Sequence, residues 1–266
     1  MTITPQAGQN LTSINIISKP AAILANSANA WLEVVVRAAS CTTLTNYTNN
    51  LCIPRLLERY AILAHANTSF ADKFRKLSAL RRVDINSTTG VSSFSQCFAE
   101  CQLLAEAPWM DTSSATSTGN MFDSCRGLRT VPFYDLSGVT SAGYMFSGCL
   151  ALTTIPAFSL ASNANALSMF NSCAALQEIP AISFAAVPSG SFTNTFSTAN
   201  AIKRIRATGF NFSFSIGNNQ LTATALNEIY TNLPTVVGQT ITVTGNPGVS
   251  GDDPTIASAK GWSVTG

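Results

Sequence analysis

The chain has 266 residues, a formal net charge of +2 and only 11% charged residues. That charge singles out neither nucleic acid nor an anionic membrane surface as a partner, and no apolar run reaches the ~20 residues of a membrane-spanning helix. There is one histidine, His65, and no His-Glu-x-x-His or Cys-x-x-Cys spacing, so neither an enzyme nor a metal or other cofactor is expected.

Met1 to Gly8 lacks a basic stretch followed by an apolar core, so no cleaved secretory signal is expected. In residues 1–70, Ile14 and Ile16 alternate, and Trp31 to Val36 reads as a strand. Leu51 to Ala66 reads as a helix with Pro54 near its start, and His65 sits in its alanine-rich end as a packed or solvated side chain. This small N-terminal β-rich region is either a domain of its own or a cap packed on the first turn of the repeat. Seven of the 15 Lys and Arg residues crowd between positions 55 and 82: Arg55, Arg59, Lys73, Arg75, Lys76, Arg81 and Arg82. They are a possible contact for an acidic partner, although such runs are more often a solvated face.

An internal repeat occupies residues 71–208. Phe98, Phe122, Phe146 and Phe170 are 24 apart; so are Cys101, Cys125, Cys149 and Cys173. The same spacing holds for Leu104, Leu128, Leu152 and Leu176, and for Pro108, Pro132, Pro156 and Pro180. The unit is Met-Phe-x-x-Cys-x-x-Leu-x-x-Ile/Val-Pro, with Cys97 and Ala107 as departures in the first strict copy. Degenerate copies run back through Phe74, Leu77, Leu80 and Val83, with Asp84 in the proline slot. Others run forward, after a two-residue insertion, through Phe196, Ile202 and Ile205.

The spacing predicts an α/β repeat, a solenoid of 24-residue leucine-rich turns. Each turn places Phe and Cys on one face of a helical turn, followed by a short strand paired in parallel with its neighbours. A proline at the end of every Leu-x-x-Ile/Val segment removes a ladder donor, so the strands must be very short and stop there. Met110, Tyr134, Phe158 and Ile182, then Leu136, Leu160 and Phe184, add further inward columns. Successive cysteines would lie ~4.8 Å apart, close enough for disulfides, but buried free thiols are the expectation without a secretory signal. A ladder points all its sulfurs one way, so it makes no metal site.

Residues 209–266 read as a helix–strand cap. Leu226, Ile229, Tyr230 and Leu233 mark an amphipathic helix from Thr222, stopped by Pro234. Thr240 to Thr244 alternates as a strand, Asp253-Pro254 opens a short helix closed by Gly261, and Trp262 and Val264 belong to a last strand. The cap is expected to leave no open edge.

The units at 145–156 and 169–180 resemble the surface-antigen class of leucine-rich repeats found in bacterial adhesins. The ending from Leu221 to Gly266, with its Leu-Asn-Glu-Ile-Tyr-Thr-Asn-Leu-Pro and Lys-Gly-Trp-Ser-Val-Thr runs, is similar to the C-terminal cap of leucine-rich-repeat proteins encoded by tailed bacteriophages, cyanophages among them. The resemblance covers residues 70–266. It implies a non-enzymatic virion component, a tail-fibre or baseplate protein that attaches to a host-surface receptor and carries no catalytic residues. Such a protein is made in the host cytoplasm without a signal peptide. It docks to other virion proteins, here through residues 1–82, as a symmetric oligomer on the particle. A head decoration or cement protein, and a bacterial surface adhesin, are the alternatives. Trp109, Phe133, Arg126 and Arg129 are candidate contact positions, with ordinary packing or solvation an equal account of each.

Overall fold

The computed structural model describes the strand residues 2–3, 13–16, 33–37 and 43–46, and then residues 58–64, 68–161 and 164–266. Arg55, His65, Cys41 and Cys52 lie outside the described residues. The architecture is a parallel β-solenoid of about nine turns with few helices.

The N-terminal strands are part of that stack. Strands β1 (Thr2–Ile3), β3 (Glu33–Arg37), β5 (Arg59–Ala64) and β6 (Arg82–Ile85) pair in parallel in the order β1-β3-β5-β6. Val35 aligns with Thr2 and Ala61, and Ala61 with Asp84. Strands β2 (Ser13–Ile16) and β4 (Thr43–Asn46) form a second parallel pair. Through β5 the first of these sheets reaches β6. The helix expected over Leu51 to Ala66 is corrected: residues 59–64 are β5, with Tyr60 and Ile62 buried. Alanine's helical advantage is at most ~0.7 kcal/mol per residue over other ordinary residues. Ladders on both edges of β5, to β3 and β6, outweigh it.

Beyond β6 the strands shrink to bridges. Ser69, Ser93, Ser117, Ser141 and Asn165 form one chain of parallel bridges, each joining residues 24 apart. Glu106 bridges Thr130 two residues before Pro108 and Pro132, and β7 (Glu178–Ile179) pairs with β8 (Arg204–Ile205) and ends at Pro180. Short strands that stop at the proline are what the missing N–H demands.

The helical turn expected at each Phe-x-x-Cys is corrected to a ribbon of linked turns. Residues Gln96 and Glu100 have φ of 54° and 65°, and the same two positions recur in the left-handed region at Asn120 and Ser124, Tyr144 and Gly148, and Ser168 and Ser172. A left-handed residue at every fourth position forbids an α-helix. Within the ribbon, alternate N–H groups make local bonds, such as Cys101 N to Phe98 O at 3.0 Å. The others donate to the next turn: Gln96 to Gly119, Phe98 to Met121, and Glu100 to Asp123, at 2.7–2.9 Å. Each non-glycine left-handed residue costs ~1–2 kcal/mol. The inter-turn hydrogen bond its N–H makes returns ~0.5–1.5 kcal/mol and avoids a larger desolvation penalty.

Inside the stack, Phe74, Phe98, Phe122, Phe146, Phe170 and Phe196 form one column of near-parallel rings with centroids 4.9–6.1 Å apart. Leu104, Leu128, Leu152 and Leu176 are buried beside them. The cysteine column is buried and free of disulfides among the described residues. Each sulfur donates to the phenylalanine carbonyl one turn earlier: Cys101 to Phe74, Cys125 to Phe98, Cys149 to Phe122 and Cys173 to Phe146, at 3.0–3.2 Å. Cysteine recurs here because it is small, apolar and still a weak donor.

At the C-terminal end, helix α1 (Ala223–Asn232) is capped by Thr222, whose hydroxyl accepts from Ala225 N. Strands β9 (Phe214–Ser215), β10 (Gln239–Thr242) and β11 (Trp262–Thr265) are parallel, in the order β11-β10-β9. A short helix α2 (Thr255–Ser258) comes after Asp253, which accepts from Thr255 N. Among the described residues β11 pairs with β10 alone. The cap blunts its other edge with small exposed hydroxyl residues, Ser263 and Thr265.

The packing of the core can be tested in two ways. Phe122→Ala removes a ring stacked between Phe98 and Phe146 and should lower unfolding free energy by about 3–5 kcal/mol, read from the urea midpoint. Burial pushes the Cys173 thiol up to about 12 from an ordinary value of 9.0, and shifts Cys97, Cys101, Cys125 and Cys149 upward as well. Only the unfolded chain then ionises these thiols just above pH 9. Stability should be full below pH 9 and fall between pH 9 and 12, by up to ~1.4 kcal/mol per pH unit for each thiol. Urea midpoints at pH 8, 10 and 11 measure this, and Cys149→Ala should give a shallower decline.

Candidate functional site

A turn whose core columns are fixed can vary only its outward positions, so a site is sought among exposed side chains that packing does not explain. Two stand out. Trp109 is 63% exposed and Phe133 is 58% exposed. Each comes directly after the proline that stops its strand, and the Glu106–Thr130 bridge sets the two in register on neighbouring turns. The prolines fix the backbone just before both rings. Behind Phe133, the buried Tyr134 donates its hydroxyl to Pro108 O at 2.7 Å and locks the two turns together. The indole N–H of Trp109 has no partner among the described residues, whereas that of the buried Trp262 donates to Pro234 O at 2.9 Å.

Trp109 forms one wall of a shallow hollow of about 340 Å³, lined also by Val83, Asp84, Ile85, Asn86 and Pro108. Asp84 stands where the strict repeats carry proline. Its carboxylate accepts from Arg59 Nε at 2.9 Å and Arg82 Nε at 2.8 Å. Burial works to raise its pKa, but the bonds from the two guanidiniums outweigh this and hold it below the ordinary value. The hollow thus offers an indole wall, an ionised acceptor and the Asn86 amide. No cluster of three or more metal-binding side chains occurs among the described residues.

The basic segment is not gathered into one patch. Arg59 and Arg82 share Asp84, on β5 and β6. Arg75 pairs with Asp72 at 3.1 Å and lies 3.9 Å from Glu100, on the ribbon. Lys73 is buried, its ammonium 5.8 Å from the Phe70 ring centroid. Lys76 is partly buried and Arg81 exposed, and Arg55 falls outside the described residues. Arg126 and Arg129 are exposed. The repeat residues from Phe98 to Cys173 and Leu176 are core, and the prolines punctuate strands. Sequence reasoning does not single out Asp84 and Asn86 as site residues; the departure from proline at position 84 is the available signal.

Compared with known proteins, the chain matches no family model, no curated protein and no solved structure. Among the described residues no helix is long and apolar enough to cross a membrane.

Because Trp109 is mostly exposed, Trp109→Ala should change unfolding free energy by no more than ~0.5 kcal/mol. A thermal melt of the purified full chain checks this, and any binding defect of the variant is then a surface effect.

Proposed function

We propose that the chain is a non-enzymatic leucine-rich-repeat solenoid of a tailed-phage particle, a tail-fibre or baseplate component that attaches to a host surface. In this reading the turns between positions 71 and 208 are 24-residue leucine-rich repeats. The observation that carries the attachment role is the pair of exposed rings on adjacent turns, Trp109, which lines the Asp84 hollow, and Phe133. Large exposed aromatics on a rigid scaffold are the usual anchors of recognition. An indole face with an ionised carboxylate next to it suits a hydroxyl-rich partner such as a surface glycan, which offers apolar ring faces and donors together. Weak contacts of this kind gain by repetition on a symmetric particle. Placement on a virion rests on the likeness of the ending from Leu221 to the C-terminal cap of phage-encoded repeat proteins.

Two experiments test the two halves separately. Fluorescently labelled full-length protein is titrated on susceptible bacterial cells beside the Trp109→Ala/Phe133→Ala variant. At ~1–2 kcal/mol per anchoring ring, the double variant should bind at least tenfold more weakly. Equal binding removes these rings from the contact. Immunogold labelling of particles with antibody against residues 85–266 should place gold at the tail end. Gold spread over the head would indicate a decoration protein instead, and particles without gold would leave no virion role.

A further inference from the structure

Among the described residues the inter-turn ladder of the ribbon is broken at one turn, and the break is a built cleft. In five successive turns alternate N–H groups donate to carbonyls of the next turn, and the last three of each turn's four concern the break. They are Asp72, Phe74 and Lys76; Gln96, Phe98 and Glu100; Asn120, Phe122 and Ser124; Tyr144, Phe146 and Gly148; and Ser168, Phe170 and Ser172, all at 2.7–3.0 Å. The equivalent groups of the next turn are the N–H groups of Asn194, Phe196 and Thr198. They have no hydrogen-bond partner among the described residues. Asn194 and Thr198 keep the left-handed conformation of their columns, with φ of 57° and 55°, so the ribbon is intact and its donors still point outward in register.

What they face is a cleft of about 620 Å³, lined on one side by Thr193, Asn194 and Thr198 and on the other by Ser213, Ser215 and Asn218. The ladder resumes on the far wall, where Ile216 N donates to Thr242 O and Asn218 N to Thr244 O. The walls are held together elsewhere on the solenoid. Gln220 N donates to Ile202 O at 2.8 Å, and Arg204 forks onto Glu228 at 3.0 and 2.7 Å. The split coincides with a change of period. Phe170 and Phe196 are 26 apart rather than 24, and the extra residues form a 3-10 turn at Ser189–Ser191. Phe192 stands in the column of Phe70, Phe94, Thr118, Ala142 and Ala166. Its ring packs against Phe184, Phe196, Phe210 and Phe214 as a wedge beneath the cleft.

We propose that this cleft binds an extended, uncharged peptide segment of a partner protein, whose carbonyls accept from the N–H groups of Asn194, Phe196 and Thr198. Peptide addition to an unpaired edge is a recurrent recognition mode. Here the same donor triplet is satisfied by peptide carbonyls in every preceding turn of the ribbon. No charged residue lines the cleft, so no charged side chain on the guest finds an ion-pair partner there. The Ser, Thr and Asn walls favour small polar side chains on the guest. This site is separate from Trp109 and Phe133 and does not depend on the attachment reading.

The probe is a synthetic peptide with the sequence of residues 191–199, because the carbonyls of Ser191, Thr193, Thr195 and Ser197 already accept from Ala166, Ser168, Phe170 and Ser172 within the protein. Amide exchange is followed by NMR on the full, isotope-labelled chain. In the free protein the amides of Asn194, Phe196 and Thr198 should exchange at least 100-fold faster than those of Ser168, Phe170 and Ser172. Millimolar peptide should slow them at least tenfold, and Thr193→Trp, which fills the cleft mouth, should abolish the effect. Protection of the three amides in the free protein would overturn the proposal. So would indifference to the peptide, or protection by uncharged dextran but not by peptide, which would mark a glycan site.

Discussion

The fold depends on one backbone constraint: alternate N–H groups of each turn must find carbonyls on the next. A helix satisfies its own donors four residues back; this ribbon satisfies half of them across the stack. That arrangement requires two left-handed residues per turn, most of them not glycine, such as Gln96, Glu100, Asn120 and Ser124. No isolated turn could hold them, since each costs ~1–2 kcal/mol and its hydrogen bond exists only when the neighbour is present. The ribbon is therefore cooperative along the solenoid axis in the way expected of stacked repeats.

The core columns serve the same constraint from inside. Rings from Phe74 to Phe196 stack within 3–14° of parallel, which keeps adjacent ribbons at the spacing the ladder needs. Behind them each thiol meets the phenylalanine carbonyl of the previous turn, adding a polar contact to fully buried groups. Serine at these positions would bury a stronger polar group than one shared carbonyl satisfies; alanine would drop the contact. Cysteine lies between, and the near-complete burial that raises its pKa also keeps it chemically inert.

Much of this was legible in the residues, and the failures have physical causes. Four columns in register at Phe, Cys, Leu and Pro announced stacked turns, and the proline column correctly limited the strands to two residues or a single bridge. Thr222 and Pro234 bounded α1 because caps are local chemistry. The conformation between Phe and Cys was not legible. A three-residue spacing suits a helix and a turn ribbon equally, and residues such as Gln96 or Tyr144 give no warning of positive φ. Residues 59–64 misled because alanine-rich composition favours a helix, while the deciding partners, β3 and β6, are more than 20 residues away in sequence. The Trp109 and Phe133 rings were legible only as candidates, since nothing local separates an exposed ring from a packed one.

Irregularity in a repeat is more informative than the repeat itself. A strict 24-residue period would bury every ladder donor and leave only side chains to vary. The chain departs from it in two kinds of place. At position 84 an acid replaces proline, and a hollow opens beside Trp109. At the two-residue insertion before Phe192 the ladder itself opens. The first departure changes side chains on a closed backbone; the second exposes the backbone. Random drift in a surface loop would not be expected to place Phe192 against five other rings under a gap, because each ring must be accommodated by its neighbours at native packing density.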